Sequence, residues 1–243
     1  MISNTDPWIL PYSPSPGDAQ SLRRLWNRIA VPSQSVRSHI QEQGLSLREK
    51  GSDRRLFDAS EDVISLVPTL SSIVVGWVGE IYLLEAEANY DISHSEPHWS
   101  FRIFVSEPER ADIVGVLRLT ESIIHEALHL HLTGYEAHCA IVANEARSIT
   151  SPWRQEPRPY RGVMHGLFVF SSLSVFFQLI VGRVGTAGDE HLLKRLCEIR
   201  SEINAIDLDR LLEGLTPSGA GLAKAWREAS GCRASKDPKA LLM

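Results

Sequence analysis

The sequence predicts a mostly helical α+β domain with a small β-sheet. Residues 73–78 and 99–105 are rich in the β-branched and aromatic side chains that favour strands. After Pro108 the sequence is largely compatible with helix, and residues 162–181 form an apolar run typical of a buried helix. A few strands followed by a series of helices is the pattern of an α+β fold.

At 243 residues the chain is long enough for one domain or for two closely packed lobes. We divide it into an irregular leader, residues 1–17, and a single domain, residues 18–243. Two short helices are expected at the start of this domain, over residues 20–29 and 33–50. A charged tract that contains glycine predicts a loop at residues 49–55.

The two predicted strands follow an ambiguous segment, residues 61–72. Residues 73–78 form the first strand candidate. The second, residues 99–105, alternates apolar and polar side chains over its first five positions, so one face is expected against the core. Residues 91–98, which lie between the two strands, fit a loop or an edge strand.

The rest of the chain is expected to be helical apart from two loops. Residues 111–147 contain no proline and are compatible with helix. A loop is expected at residues 150–159, before the apolar segment. Residues 182–188 then separate that segment from a charged helix over residues 191–212, and a last short helix includes residues 224–229.

Composition favours a soluble, cytoplasmic protein. A net charge of −5 argues against non-specific nucleic-acid binding, which needs a basic surface. The three cysteines are scattered and form no disulfide framework, which suits a reducing cytoplasm. Residues 1–18 lack the pattern of a secretory signal.

The apolar segment, residues 162–181, is almost long enough to cross a bilayer. It contains His165, Gln178 and three serines, and arginines flank both of its ends. We therefore favour a helix buried in the core over a membrane span, and we expect no membrane partner.

The most informative motif is H-E-x-x-H at residues 125–129. Side chains four positions apart on a helix lie on the same face, so His125 and His129 can reach one metal ion. Glu126 would lie at the edge of that site, where a carboxylate can handle a proton or hold a water. The alternative interpretation is a helix whose histidines are merely half-buried.

Two histidines leave a metal site incomplete, because catalytic zinc and mononuclear iron sites commonly use three protein ligands. His131 and His138 fall near the opposite face of the helix. Glu145, sixteen residues after His129, is placed like the downstream glutamate of thermolysin-like peptidases, although the spacing is short. We favour His165, because an unpaired polar side chain in a strongly apolar helix is costly.

Arg154 and Arg158 lie among three prolines shortly before His165. Prolines stiffen the segment, and arginine is suited to binding a carboxylate through two hydrogen bonds. We interpret the pair as an anion clamp beside the metal; the alternative is a surface loop with solvated charges.

These motifs together resemble the HExxH-motif peptide-modification proteins found with ribosomal-peptide gene clusters, a family described as 2-oxoglutarate-dependent peptide β-hydroxylases. The matching stretches are residues 125–129, 152–159 and 162–166, with a similar strand region at residues 90–105. This chain differs from the usual pattern at Glu96, where aspartate is expected, and at Trp99, where proline is common.

The resemblance implies a non-cupin fold and an enzyme of natural-product biosynthesis that uses Fe(II), 2-oxoglutarate and O₂. By position, His125, His129 and His165 would hold the iron, and Arg154 or Arg158 would hold the distal carboxylate of 2-oxoglutarate. The substrate would be a peptide or an amino acid, with the β-carbon as the position hydroxylated.

Two other functions fit the H-E-x-x-H motif. In a zinc peptidase of the HExxH class, Glu126 would activate a zinc-bound water. In the hydroxylase, Glu126 would orient a ligand or shuttle a proton, or its carboxylate would bind the iron in place of His165. The second function is a non-catalytic binding module with a structural metal site. Such a module would tolerate the Glu126→Gln substitution, whereas the same substitution should remove nearly all activity from a peptidase.

Overall fold

The structure is a computed structural model and describes residues 7–10, 25–48, 52–88, 90–96 and 98–231. The predicted leader, the first part of the helix expected at 20–29 and the start of the loop at 49–55 lie largely outside these residues. The coarse prediction is confirmed: the chain is mixed α+β and mostly helical, with a small sheet.

The chain folds into two compact units. Unit 1 consists of Met1–Leu10, Glu136–Gln178 and Leu193–Met243, and unit 2 consists of Pro11–Tyr135 and Leu179–Leu192. The prediction of a single domain over residues 18–243 stays a prediction.

Unit 2 contains the three-stranded sheet and the helix that carries the H-E-x-x-H motif. After a 3₁₀ turn at Trp26–Arg28, its elements are α1 (Gln34–Glu42), α2 (Arg54–Ser65), α3 (Pro68–Trp77), β1 (Glu80–Leu84), β2 (Ser93–His94), β3 (Arg102–Ser106) and α4 (Ile113–Glu136). Only Glu136, the last residue of α4, belongs to unit 1.

The sheet has β3 at its centre, with β1 parallel to it and β2 antiparallel. Ser93 pairs with Val105 and His94 with Phe104, so the edge strand allowed for at residues 91–98 is present. The predicted strand at 99–105 is present but begins later, as β3. On this sheet α1 buries Val36 and Ile40 against Tyr82, Leu84 and Phe104.

The strand predicted at residues 73–78 is wrong, because this segment ends helix α3. Pro68 occupies the first turn of α3, where its fixed φ angle suits a helix. Leu70, Ile73 and Val74 are spaced to lie on one helical face, and all three are buried. Burial on a helical face therefore outweighs the β propensity of these residues.

Two of the predicted helices end earlier than expected. The helix predicted over 33–50 is α1; Ser33 caps its start, and the chain turns at Gly44, whose φ is +75°. The helix-compatible stretch 111–147 is helical only as far as Glu136, the end of α4.

Unit 1 holds a hairpin and most of the remaining helices. Its elements are β4 (Ser148–Ser151), β5 (Glu156–Pro159), α5 (Tyr160–Ile180), α6 (Thr186–Asn204), α7 (Leu208–Leu212) and α8 (Pro217–Ala229), although the end of α5 and the start of α6 belong to unit 2. The loop predicted at 150–159 is wrong, because β4 and β5 pair as an antiparallel hairpin.

Helix α5 corresponds to the apolar segment of the sequence. Among the described helices it is the one long and apolar enough to cross a membrane, and 78% of its most apolar stretch is buried within the protein. Within unit 1 its Phe168 packs against Trp226 of α8, and its Phe170 stacks on Trp153 of the hairpin. This burial agrees with the expectation of a core helix.

Candidate functional site

The start of α4 is fixed by contacts just before the helix. Asp112 Oδ1 accepts a hydrogen bond from the Gly115 N–H at 3.0 Å, and this bond lowers the pKa of the Asp112 carboxyl. A Cβ atom at Gly115 would lie only 1.7 Å from the carbonyl oxygen of Arg110. A carboxylate at a helix N-terminus is favourable, and the absence of a side chain at Gly115 permits the close approach.

The structure brings His125 and His129 together on α4. Their Nε2 atoms are 3.1 Å apart, and their ring centroids are 4.8 Å apart at an interplanar angle of 66°. Both residues are half-buried, whereas the three residues between them are buried. The pair therefore lies on a face of α4 that a small molecule or ion can reach.

The spacing of the two imidazoles suits a shared metal ion. Two nitrogens that each lie about 2.0–2.1 Å from one ion, at an angle of about 90–109°, are about 2.8–3.4 Å apart. The observed 3.1 Å separation lies inside this range. His125 and His129 thus fit two adjacent coordination positions.

Glu126 is held by two serines of residues 91–96, which include β2 and are called the β2 segment below. Its side chain is buried, and its Oε1 and Oε2 atoms accept hydrogen bonds from the Ser93 and Ser95 hydroxyls, each at 2.6 Å. Its Oε1 also lies 3.9 Å from the Nε2 of His125. Each carboxylate oxygen is therefore already engaged beside the histidine pair.

The β2 segment is tied to α4 at a second point. Asp91 accepts a hydrogen bond from the Arg118 guanidinium at 2.6 Å, in a half-buried ion pair. Together with the two serines, this pair fixes the segment along the side of α4 that carries Glu126. The position of Glu126 is consequently determined by the sheet as well as by the helix.

The alternate side chains of the same segment form a second polar cluster, in contact with α1. Glu96 Oε1 accepts hydrogen bonds from His39 Nε2 at 2.7 Å, from His94 Nε2 at 3.0 Å and from the Gln43 amide at 3.0 Å. Burial opposes ionisation of the carboxyl, but the hydrogen bonds and charges of His39 and His94 outweigh it and lower the pKa of Glu96.

His165 lies in unit 1, where it contacts Glu136 and Arg161. Glu136 Oε2 is 2.9 Å from His165 Nε2, and it accepts hydrogen bonds from Arg161 Nε at 2.9 Å and Nη2 at 2.7 Å. Burial again opposes ionisation, but the hydrogen bonds and charges of His165 and Arg161 prevail and lower the pKa of Glu136.

The candidate arginines lie on the hairpin of unit 1. Arg154 is exposed in the turn between β4 and β5, and Arg158 is half-buried on β5. Among the residues that the structure describes, neither guanidinium has a hydrogen-bond or ion-pair partner. Their role as an anion clamp stays a prediction.

The other candidate ligands lie in three different local settings. Glu145 is exposed in a turn rather than on a helix, and His138 is exposed. His131 is 1% exposed and packs against Trp77, whose ring would clash with any side chain at Gly134. His131 is thus part of the core of unit 2.

Sequence reasoning missed Glu136, which holds both Arg161 and His165. The one available signal was the four-residue spacing of Arg161 and His165, which places both side chains on one face of α5. Nothing local to Glu136 distinguishes it from the other acidic residues of the chain.

In the described part of the chain, no group of three or more His, Cys, Asp and Glu side chains is arranged to hold a metal ion. The predicted ligand set of His125, His129 and His165 therefore stays a prediction. The structure shows contact between the first two of these histidines. The sequence matches no protein-family model and no curated protein at a significant level.

Proposed function

We propose that this protein is a non-haem iron oxygenase that uses 2-oxoglutarate and O₂ to hydroxylate an amino-acid residue in a peptide or amino-acid substrate. The observation that carries the proposal is the His125–His129 pair, whose Nε2 atoms are 3.1 Å apart on one face of α4. His165 would be the third ligand, and Arg154 or Arg158 would bind the distal carboxylate of 2-oxoglutarate.

Bound iron and its cosubstrate supply the oxidising chemistry that transfers an oxygen atom to a C–H bond. The chain's own part is to hold the ion and to orient the cosubstrate and substrate. His125 and His129 are suited to the first task, because imidazole is a common ligand of iron.

Glu126 separates this proposal from the rival zinc peptidase. The closeness of Glu126 to His125 favours the peptidase, in which this carboxylate would activate a metal-bound water. Both carboxylate oxygens also accept short hydrogen bonds from Ser93 and Ser95, which gives Glu126 a structural task with either metal. We therefore assign Glu126 to holding the β2 segment and orienting α4.

The decisive experiment is an anaerobic titration of the Fe(II)-loaded protein with 2-oxoglutarate, followed in the visible spectrum. The proposal predicts a weak charge-transfer band that appears with 2-oxoglutarate. The band should be absent with zinc and in the His129→Ala and His165→Ala variants, and unchanged in His138→Ala, which removes an exposed histidine outside the predicted ligand set.

The arginine assignment is tested in the same titration. Arg154→Ala or Arg158→Ala should raise the concentration of 2-oxoglutarate needed for half of the band. Arg147→Ala is the matched control, because Arg147 is an exposed arginine of unit 1 that pairs with Glu213. Absence of the band, one zinc per chain and cleavage of peptides would instead establish the peptidase.

A further inference from the structure

We infer that Glu136 is a positioning residue for His165. It fixes the imidazole with its hydrogen on Nε2, so that Nδ1 carries the lone pair with which His165 would bind a metal. The tautomer follows from contacts inside unit 1 alone, whereas the coordination step rests on the proposed function.

Three nitrogen atoms converge on one oxygen of Glu136. Glu136 Oε2 lies 2.9 Å from Arg161 Nε, 2.7 Å from Arg161 Nη2 and 2.9 Å from His165 Nε2. Arg161 and His165 are one turn apart on α5, which brings both side chains to the same carboxylate. The Glu136 and His165 side chains are each only 12% exposed.

The position of the imidazole hydrogen follows from the chemistry of these groups. A guanidinium can only donate hydrogen bonds, so an oxygen that faces two of its N–H groups is an acceptor and carries no hydrogen of its own. His165 Nε2 must then be the donor in its contact with Glu136. In a neutral imidazole the other nitrogen, Nδ1, therefore holds the lone pair.

This arrangement is the one that metal-binding histidines commonly show. Such a histidine donates the N–H of one ring nitrogen to a carboxylate and coordinates through the other, and the carboxylate orients the ring and makes it more basic. Arg161 compensates the charge of Glu136, so that the carboxylate can remain ionised in its largely buried position. Glu136 thereby acts through His165 and not on the substrate.

The tautomer can be read directly from ¹⁵N NMR of the metal-free protein, with the His165 signals assigned by comparison with His165→Gln. The expected pattern in the wild type is a hydrogen on Nε2 and the lone pair on Nδ1 of the neutral imidazole. Glu136→Gln retains an acceptor oxygen and should retain this pattern, whereas Glu136→Ala should lose it. Glu213→Ala, which removes the exposed partner of Arg147, is the matched control and should behave as the wild type.

The coordination step is tested by adding Zn²⁺ as a diamagnetic probe. The expected result is a shift of the His165 Nδ1 signal while Nε2 keeps its hydrogen, together with zinc affinity about 10- to 100-fold weaker in Glu136→Ala. A metal-free Glu136→Ala protein with the wild-type tautomer, or zinc bound through Nε2, overturns the inference. Zinc that leaves His165 unshifted, with the expected tautomer in the metal-free protein, overturns the proposed ligand set but upholds the positioning role.

Discussion

Removal of the serine hydroxyls that hold Glu126 should destabilise the protein while leaving His125 and His129 in place. Glu126 is 3% exposed, and each carboxylate oxygen accepts one serine hydroxyl at 2.6 Å. A hydrogen bond to a charged group contributes about 1.5–3 kcal/mol. Ser93→Ala and Ser95→Ala should each lower the free energy of unfolding by that amount.

The loss converts into a measurable change in thermal unfolding. For a chain of this length about 1 kcal/mol corresponds to about 2–4 °C, so each variant should unfold about 3–12 °C below the wild type. The double variant leaves a buried carboxylate without either serine, and breaking a buried charged contact in this way costs about 3–5 kcal/mol. Circular dichroism on heating measures both effects.

Two further variants make the test specific to Glu126. Ser65→Ala is the control, because Ser65 is an exposed serine whose hydroxyl donates only within α2, to the Asp62 carbonyl. Glu126→Gln should cost less in the Ser93→Ala/Ser95→Ala background than in the wild type, because the charge has already lost its two donors there. If the single serine variants unfold at the same temperature as Ser65→Ala, the serines do not hold the carboxylate and the reasoning is wrong.

Three other predictions concern stability and ionisation. Gly166→Ala would place a Cβ atom 2.4 Å from the Trp153 ring and should lower the free energy of unfolding by about 1–3 kcal/mol. On the same helix, a Cβ atom at Gly162 meets nothing within 4 Å, so Gly162→Ala should raise the free energy of unfolding by up to about 1 kcal/mol. Thermal unfolding of the two variants measures the difference. The pKa of Glu136 is lowered from its ordinary value of 4.5, so the ionised carboxylate stabilises the fold above pH 4.5. This stability is lost as the pH falls through the lowered pKa. The free energy of unfolding in urea should therefore depend less on pH below 4.5 in Glu136→Gln than in the wild type. Burial and the hydrogen bond to Glu80 raise the pKa of Tyr82 from 10.0 to about 12. The folded protein therefore loses stability as the pH rises through about 12 and the Tyr82 phenol ionises. Ultraviolet titration should show this high-pH ionisation in the wild type and not in Tyr82→Phe.

Helices α4 and α5 could be predicted because their signals are local. A stretch without proline and an apolar run are visible in the sequence whatever the rest of the chain does. The sheet is harder to predict from the sequence, because β1 and β3 pair as parallel strands that are separated along the chain. The β-branched residues at 73–78 suggested a strand, but Pro68 and the buried face of α3 decide for helix.

The candidate site likewise has a part that could be predicted from local sequence and a part that could not. The spacing of His125 and His129 fixes their proximity once the helix forms, so the pair could be predicted from five residues. The partners of Glu126 and His165 could not, because they lie 29 to 33 positions away along the chain. Such contacts depend on how strands and helices pack, which the local pattern does not encode.

The role of Glu126 is therefore decided by what faces it and not by the H-E-x-x-H motif itself. One residue along a helix is a rotation of about 100°, which places Glu126 at the edge of the His125–His129 face, with its Oε1 3.9 Å from His125 Nε2. There the β2 segment presents Ser93 and Ser95, whose hydroxyls each donate a hydrogen bond to one carboxylate oxygen. A peptidase needs this carboxylate turned towards a metal-bound water, whereas an oxygenase needs only a helix held in place. The two serines therefore give Glu126 a structural role that the motif alone does not contain, and the 2-oxoglutarate titration separates the oxygenase from the peptidase.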